Sequence, residues 1–409
     1  VSTTKTSPRP YRAPTVTPAA VTVASEDLGI GDVKAAIADV VPTVRDGAGE
    51  ADRARRLPDE VVGALRRTGI NRLLLPDELG GLDAPVIDTM DIVQQLAAAD
   101  GSTAWCAVIG TGSNLFAGYL PPEAARQVFG DRDQGSATML APAGTLTDDW
   151  PRYRLSGRWP FTSNCLHSEW IGLGALHADD RNVPPALRVA FVPAAEVAIE
   201  DTWDSSGLRA TGSHHVTVDE LAVDRERCCV FNRDRWVDGR LWRIPIVTTY
   251  LPLLASVPLG IARGALDEVT RLVREGGSAR RGQVADDPLA LHDFATADTR
   301  LRAAGAGLRS AVGEVHVLAE QRSPIDRPLQ ARVCLAAQVA VEVAVDATST
   351  AHRIGGGAAA YRGNRLLRAL DDVHAARQHL MFAHQHRRHL ATILAGAGGP
   401  DDVYPPFVV

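Results

Sequence analysis

The side chains best suited to chemistry crowd toward the end of the chain. Asp371 and Asp372 stand together, and from Val373 through Gly396 no Asp or Glu follows. The same stretch carries His374, His379, His384, His386 and His389. Imidazole titrates near neutrality and can donate or accept a hydrogen bond. No metal site is expected here. No HExxH pattern or carboxylate partner accompanies these histidines, and His384 and His386 fall on different faces of a helix. With Arg387 and Arg388 they read as a basic helix end. Gly110-Thr111-Gly112 is no dinucleotide fingerprint, because it follows helical sequence and lacks the third glycine.

The elements that must position these groups come in three textures. From about 27 to 133 the pattern is helical, with apolar residues such as Leu28, Val33 and Ile37 at helical spacing. From 134 to 236 it is β: Tyr153, Leu155 and Trp159 alternate with polar residues, as do Leu187, Val189 and Phe191. From 237 to 397 it is helical again and Ala-rich. Four long segments are expected there, near 243–276, 287–321, 327–353 and 362–395, as an antiparallel four-helix bundle. Within the third, Ala336, Val339, Val341 and Val345 have the spacing of a buried face. Residues 1–26 read as a disordered arm and 398–409 as a tail. The fold class is thus mainly α with a central β domain, and without βαβ alternation a Rossmann site is not expected.

Composition narrows the function. With 45% hydrophobic and 22% charged residues the chain is globular, and a net charge of −6 argues against nucleic acid and against an anionic membrane surface. No run approaches about 18 apolar residues, so no membrane span is expected. The five cysteines form no CxxC pair and an odd count, which points to a reducing, cytoplasmic setting.

Four colinear motifs carry a resemblance. Leu75-Pro76-Asp77-Glu78-Leu79-Gly80-Gly81, Gly157-Arg158-Trp159-Pro160-Phe161-Thr162-Ser163-Asn164, Gly207-Leu208-Arg209-Ala210-Thr211-Gly212-Ser213 and Leu259-Gly260-Ile261-Ala262-Arg263-Gly264-Ala265 resemble segments of the acyl-CoA dehydrogenase superfamily, in the same order. Ala99-Asp100-Gly101-Ser102-Thr103-Ala104-Trp105 and the RWPFTS form of the second motif are similar to the two-component flavin-dependent monooxygenases on that fold, and among them to hydroxylases of xiamycin-type indole terpenoids. The resemblance implies FAD, delivered as FADH2 by a separate reductase, with FMN as the other possibility. It implies O2, a flavin C4a-hydroperoxide, a small aromatic substrate and a homotetramer.

It also implies roles by position. Trp159 would lie against the isoalloxazine and help exclude water. Thr162 and Ser163 would meet the flavin N5 and O4 edge, with Met139, Leu140 and Pro142 as the facing strand end and Gly212 and Ser213 nearby. Arg281 would sit on the pyrophosphate. Gly355 and Gly356 would let a neighbouring subunit's backbone approach, or would only cap a helix. Trp105, Ser113, Asn114 and Phe116 would line the substrate pocket. His379 falls where the dehydrogenases keep their catalytic glutamate, as base or as hydrogen-bond donor. Two other readings stay open: a dehydrogenase with its base relocated to Asp267 or Glu268, and a helical interaction protein without cofactor.

Overall fold

The computed structural model describes residues 28–131, 134–181, 185–275, 278–280 and 282–397. The expected arm 1–26, the tail 398–409 and Arg281 lie outside them. The chain begins with α1 (Ile30–Ala54), α2 (Asp59–Arg67), α3 (Val86–Ala99), α4 (Gly101–Ser113) and α5 (Pro122–Phe129). The strands β1 (Ser136–Asp149), β2 (Arg152–Thr162), β3 (Trp170–His177), β4 (Arg188–Pro193), β5 (Ala198–Glu200), β6 (His214–Asp224) and β7 (Cys228–Val230) follow. The bundle holds α6 (Ile246–Glu275), a short β8–β9 pair (Ser278–Arg280, Gly282–Gln283), α7 (Pro288–Glu320), α8 (Arg327–Gly355), α9 (Arg365–Arg377) and α10 (His384–Leu394).

The seven strands form one sheet in the order β5-β6-β2-β1-β3-β4-β7, with β1 and β3 parallel and the other neighbours antiparallel. Its own core holds Leu146, Leu155, Trp159, Ile171, Leu173 and Val216. The helices do not form two cores. Apolar residues of α1 to α5 and of the bundle belong to one cluster. The fourth motif, Leu259 to Ala265, explains the join. A Cβ at Gly260 would lie 2.4 Å from the Gln94 carbonyl oxygen, and one at Gly264 2.4 Å from that of Ala98. Spaced four apart, the two glycines lie on one face of α6 and let α3 lie backbone to backbone against it.

Two expectations about the bundle need correction. On α8 the buried stripe runs through Val333, Ala337, Val341, Ala344 and Ala351, whereas Val339 is 47% exposed. At 100° per residue Val339 points about 200° from Val341, onto the opposite side. The fourth segment is not one helix. It stops at Arg377, and the 3-10 turn Leu380–Phe382 separates α9 from α10. His379 sits in the break with φ −59° and ψ 135°, an extended conformation. The turn buries Met381 and Phe382 in the core and is held by Gln338 of α8, whose amide donates to the Met381 carbonyl at 3.2 Å.

The close crossing yields a paired expectation for thermal unfolding. Gly264→Ala should cost about 1–3 kcal/mol, because its methyl meets rigid backbone. Gly305→Ala, on α7 with open space around the added methyl, should instead stabilise by about 0.4–1 kcal/mol.

Candidate active site

The site forms where four segments meet: the C-terminal end of β2, the turn from Gly207 to Ser213, the first two turns of α4, and the break at His379. A chain of short contacts joins them. Trp105 Nε1 donates to Ser163 Oγ at 3.2 Å. Ser163 Oγ lies 2.7 Å from Ser213 Oγ, which lies 2.6 Å from Thr211 Oγ1. Thr211 in turn donates to the Leu208 carbonyl at 2.8 Å. A hydroxyl has one proton, so this last bond sets the polarity of the row. Ser213 donates to Thr211, and Ser163 donates to Ser213. Ser163 is thereby left with spare acceptor capacity and no spare proton.

The turn is fixed from below. Gly207 packs on α9 so closely that a Cβ would lie 2.0 Å from the Asp371 carbonyl oxygen. The next amide, Leu208 N, donates to Asp372 Oδ1 at 2.6 Å. Leu208 and Gly212 both have positive φ, 50° and 53°. Trp203 Nε1 also donates to the Leu208 carbonyl, at 3.0 Å. The β2 loop is bolted to the same turn, since Asn164 N donates to the Thr211 carbonyl at 3.0 Å.

Asp372 is buried with a second carboxylic acid. It shares a small cavity of about 30 Å³ with Asp100, the N-cap of α4, whose Oδ2 accepts from Thr103 N and Oγ1. Burial, and then the neighbouring Asp100, push the Asp372 carboxyl up to about 8. Burial raises Asp100 too. Arg368 opposes both shifts, and Asp52 reinforces them. Asp372 therefore keeps its proton at neutral pH while its other oxygen serves Leu208.

His379 faces Trp105, with ring centroids 5.5 Å apart at 64°, and Phe382 at 6.0 Å. Its Nδ1 accepts from Met381 N at 3.3 Å. The proton of the neutral ring is then on Nε2. Burial alone pushes the imidazole down to about 4. The side chain nonetheless keeps accessible surface, as a deep group lining a cavity does.

The other expected residues divide. Met139, Leu140 and Pro142 are half-buried, and residues 140–143 fall outside the ladders to both β2 and β3. They press on Gly174, where a Cβ would lie 2.5 Å from the Leu140 carbonyl oxygen. Ser163 and Ser213 belong to the hydroxyl row, with Gly212 between the row's last two members. Trp159 does not present a face: it is 0% exposed, packs on Gly144 and Gly157, and donates to the Gly174 carbonyl at 2.7 Å. The open aromatic is Phe161, 59% exposed, edge-on to Trp203 and His215. The β2–β6 register shifts between Trp159 and Thr162, and Phe161 has φ 61°. This bulge turns residue 161 away from the face that alternation assigns it. Thr162 is also buried, its hydroxyl donating to the Trp159 carbonyl at 3.2 Å.

Three expected pocket residues are packing residues instead. Ser113 returns its hydroxyl to the Ile109 carbonyl, Asn114 joins Ser136 and Asn71, and Phe116 lies among Tyr119, Phe191 and Phe231. All three are at most 4% exposed. Gly355 packs on Leu366, and Gly356 caps α8 at φ 62°. Asp267 and Glu268 are salt-bridged to Arg263 and Arg271. Of the terminal histidines, His384 pairs with Arg377 and His386 is buried, so they do not converge on one point. A surface trio, Asp148, His177 and Asp179, lies close together, with Asp148 already bound to Arg225.

The fold agrees with what the chain matches. The family model "Acyl-CoA dehydrogenase, N-terminal domain" covers residues 33–122, and "Acyl-CoA dehydrogenase, C-terminal domain" covers 253–384. The chain is 30% identical over 348 residues to indole-3-acetate monooxygenase of Pseudomonas putida, covering 82% of this chain and 87% of that protein. It is 30% identical over 357 residues to the flavin-dependent monooxygenase oxygenase subunit HsaA of Rhodococcus jostii (strain RHA1), covering 83% and 92%. The structure of XiaF from Streptomyces sp. in complex with FADH2 and glycerol superposes with a TM-score of 0.84 at 26% identity, covering 91% of this chain and 96% of that one.

Two measurements separate packing from site. Trp159→Ala should cost about 3–5 kcal/mol of stability. Phe161→Ala should change it by no more than about 0.5 kcal/mol while weakening flavin binding. The raised Asp372 carboxyl makes the native state hold a proton that the unfolded chain releases, so stability should fall as pH rises from about 5 to 8. Asp372→Asn, which keeps the acceptor for Leu208, should flatten that slope in melting curves.

Proposed function

This chain belongs to the flavin-dependent monooxygenase oxygenase components built on the acyl-CoA dehydrogenase fold, and from that membership we propose that it hydroxylates an indole- or phenol-like natural product with O2. The observation that carries the reading is His379, a neutral donor at the place of a catalytic carboxylate. When bound, reduced flavin would supply the electrons that activate O2, and O2 would supply the oxygen atom that is transferred. The residues present fit such a group. Segment 140–143 offers backbone outside the ladders, and Ser163 offers an acceptor suited to a ring N–H. Phe161 offers an open aromatic face. An oxygenase subunit among the relatives supports a separate reductase as the source of reduced flavin.

His379 acts as donor and not as base. Its Nδ1 lone pair is occupied by Met381, its burial keeps the ring uncharged, and Nε2–H is the group left to point at a developing negative charge. Trp105 and Phe382 hold the ring, and the seal they form keeps water from competing for that proton. A dehydrogenase reading needs a carboxylate within reach of a substrate proton. Asp267 and Glu268 are committed to arginines, and Asp372 serves the turn. A homotetramer accounts for the apolar side chains of Val317 and Val339 on the outside of the bundle, and sedimentation would measure it.

The reaction is tested with reduced FAD, oxygen and a panel of indoles and phenols. Hydroxylated product carrying label from ¹⁸O2 is expected. Bleaching of bound oxidised flavin by an acyl-CoA, with no labelled product, overturns the reading. His379→Ala should lower product by about 10²-fold and raise hydrogen peroxide release, with partial recovery in His379→Asn. Product formation should show no break from pH 6 to 8, because the ring stays neutral throughout that range. A break near pH 6.5 that disappears in His379→Asn would make the ring a base.

A further inference from the structure

A polar group outside this machinery has no partner among the described residues. Tyr250, in the first turns of α6, has the buried chain neighbours Thr248, Thr249, Leu251 and Leu253, yet it keeps accessible surface itself. Its hydroxyl has no hydrogen-bond partner among the described residues, and burial alone pushes it well above the usual phenol range. A neutral hydroxyl that is reachable and has no partner among the described residues is available to a bound molecule. The ring is held in place by α4. A Cβ at Gly112 would lie 2.1 Å from Tyr250 Cε2, so the helix gives up a side chain to seat the phenol.

Gly112 is seven residues, or two turns, beyond Trp105. The two therefore share one face of α4 about 10 Å apart along the axis, with Ile109 between them. At the Trp105 end stands His379 with its free Nε2–H. At the Gly112 end stands the free hydroxyl of Tyr250. Thus one apolar helix stripe has a donor at each end, and neither meets an acceptor among the described residues.

We propose that Tyr250 is the specificity residue of the substrate pocket, donating its hydroxyl to an acceptor group, a carboxylate or hydroxyl, on the end of the aromatic substrate remote from His379. The inference rests on the monooxygenase reading and deepens it by naming the substrate class: a flat aromatic with a hydrogen-bond acceptor set off from the ring position that is oxygenated. A site built to bond such a group discriminates strongly against an analogue that lacks it. Tyr250 takes no part in the oxygen chemistry and sets KM, not kcat.

The test is binding to the flavin-free protein by calorimetry, with two matched probes: indole-3-acetate, which carries the acceptor, and 3-methylindole, which does not. The wild type is expected to favour indole-3-acetate by about tenfold or more, and Tyr250→Phe, which keeps the ring on Gly112, to erase that preference. Retention of the preference in Tyr250→Phe overturns the proposal. So does its absence in the wild type, or failure of both probes to bind. A melting curve checks that the variant is folded. Label from ¹⁸O2 on the aromatic panel reports the monooxygenase reading separately, so the pocket assignment can fail while that reading stands.

Discussion

The site depends on one buried contact, the docking of the turn Gly207–Ser213 onto α9. Two atoms make it possible. Gly207 has no Cβ to collide with the Asp371 carbonyl, and Asp372 offers an oxygen to the Leu208 amide at 2.6 Å. Everything polar in the site is then referred to that turn. Its Leu208 carbonyl takes the proton of Thr211, which orients Ser213, which orients Ser163, which receives Trp105. Because α9 also ends two residues before His379, one short helix sets both the hydroxyl row and the imidazole. A protonated carboxyl at Asp372 suits this task, since an ionised pair with Asp100 in the same small cavity would repel.

Helical and β parts meet with different tolerances. The α3–α6 crossing is rigid because backbone touches backbone at Gly260 and Gly264. The sheet, in contrast, presents its functional residues where regular pairing fails. Segment 140–143 leaves the β1 ladders, and the bulge before Thr162 turns Phe161 outward. Regular strands bury alternate residues, so a side chain that must meet a cofactor is exposed most readily at an irregularity. The break before His379 is the helical counterpart. It frees an imidazole from helical backbone geometry and fixes its tautomer through a local amide.

Expectation and structure part company at instructive residues. The motifs around Gly81, Gly207 and Gly260 are legible because each glycine answers a contact that only a missing Cβ permits. Trp159 was legible as a strand aromatic, but which aromatic stays open is decided by a bulge two residues later. Ser113, Asn114 and Phe116 have the right types for a pocket and are consumed by packing. Tyr250 went unnoticed. The one trace of it in the chain is Gly112, a glycine inside a helix, which signals a close neighbour without saying which.

The sequence by itself determined the order of helical, β and bundle segments, the family motifs and the absence of a carboxylate from Val373 through Gly396. These depend on local periodicity and residue type, which one chain displays in full. Only the tertiary structure decided that the last helix breaks at His379, that Asp372 is buried beside Asp100, that Phe161 and not Trp159 is open, and that Tyr250 lacks a partner among the described residues. Each of these is a relation between residues distant in the chain. Burial, the Cβ clearances and hydrogen-bond polarity that fix them exist only once α4, α6, α9 and the sheet have packed together.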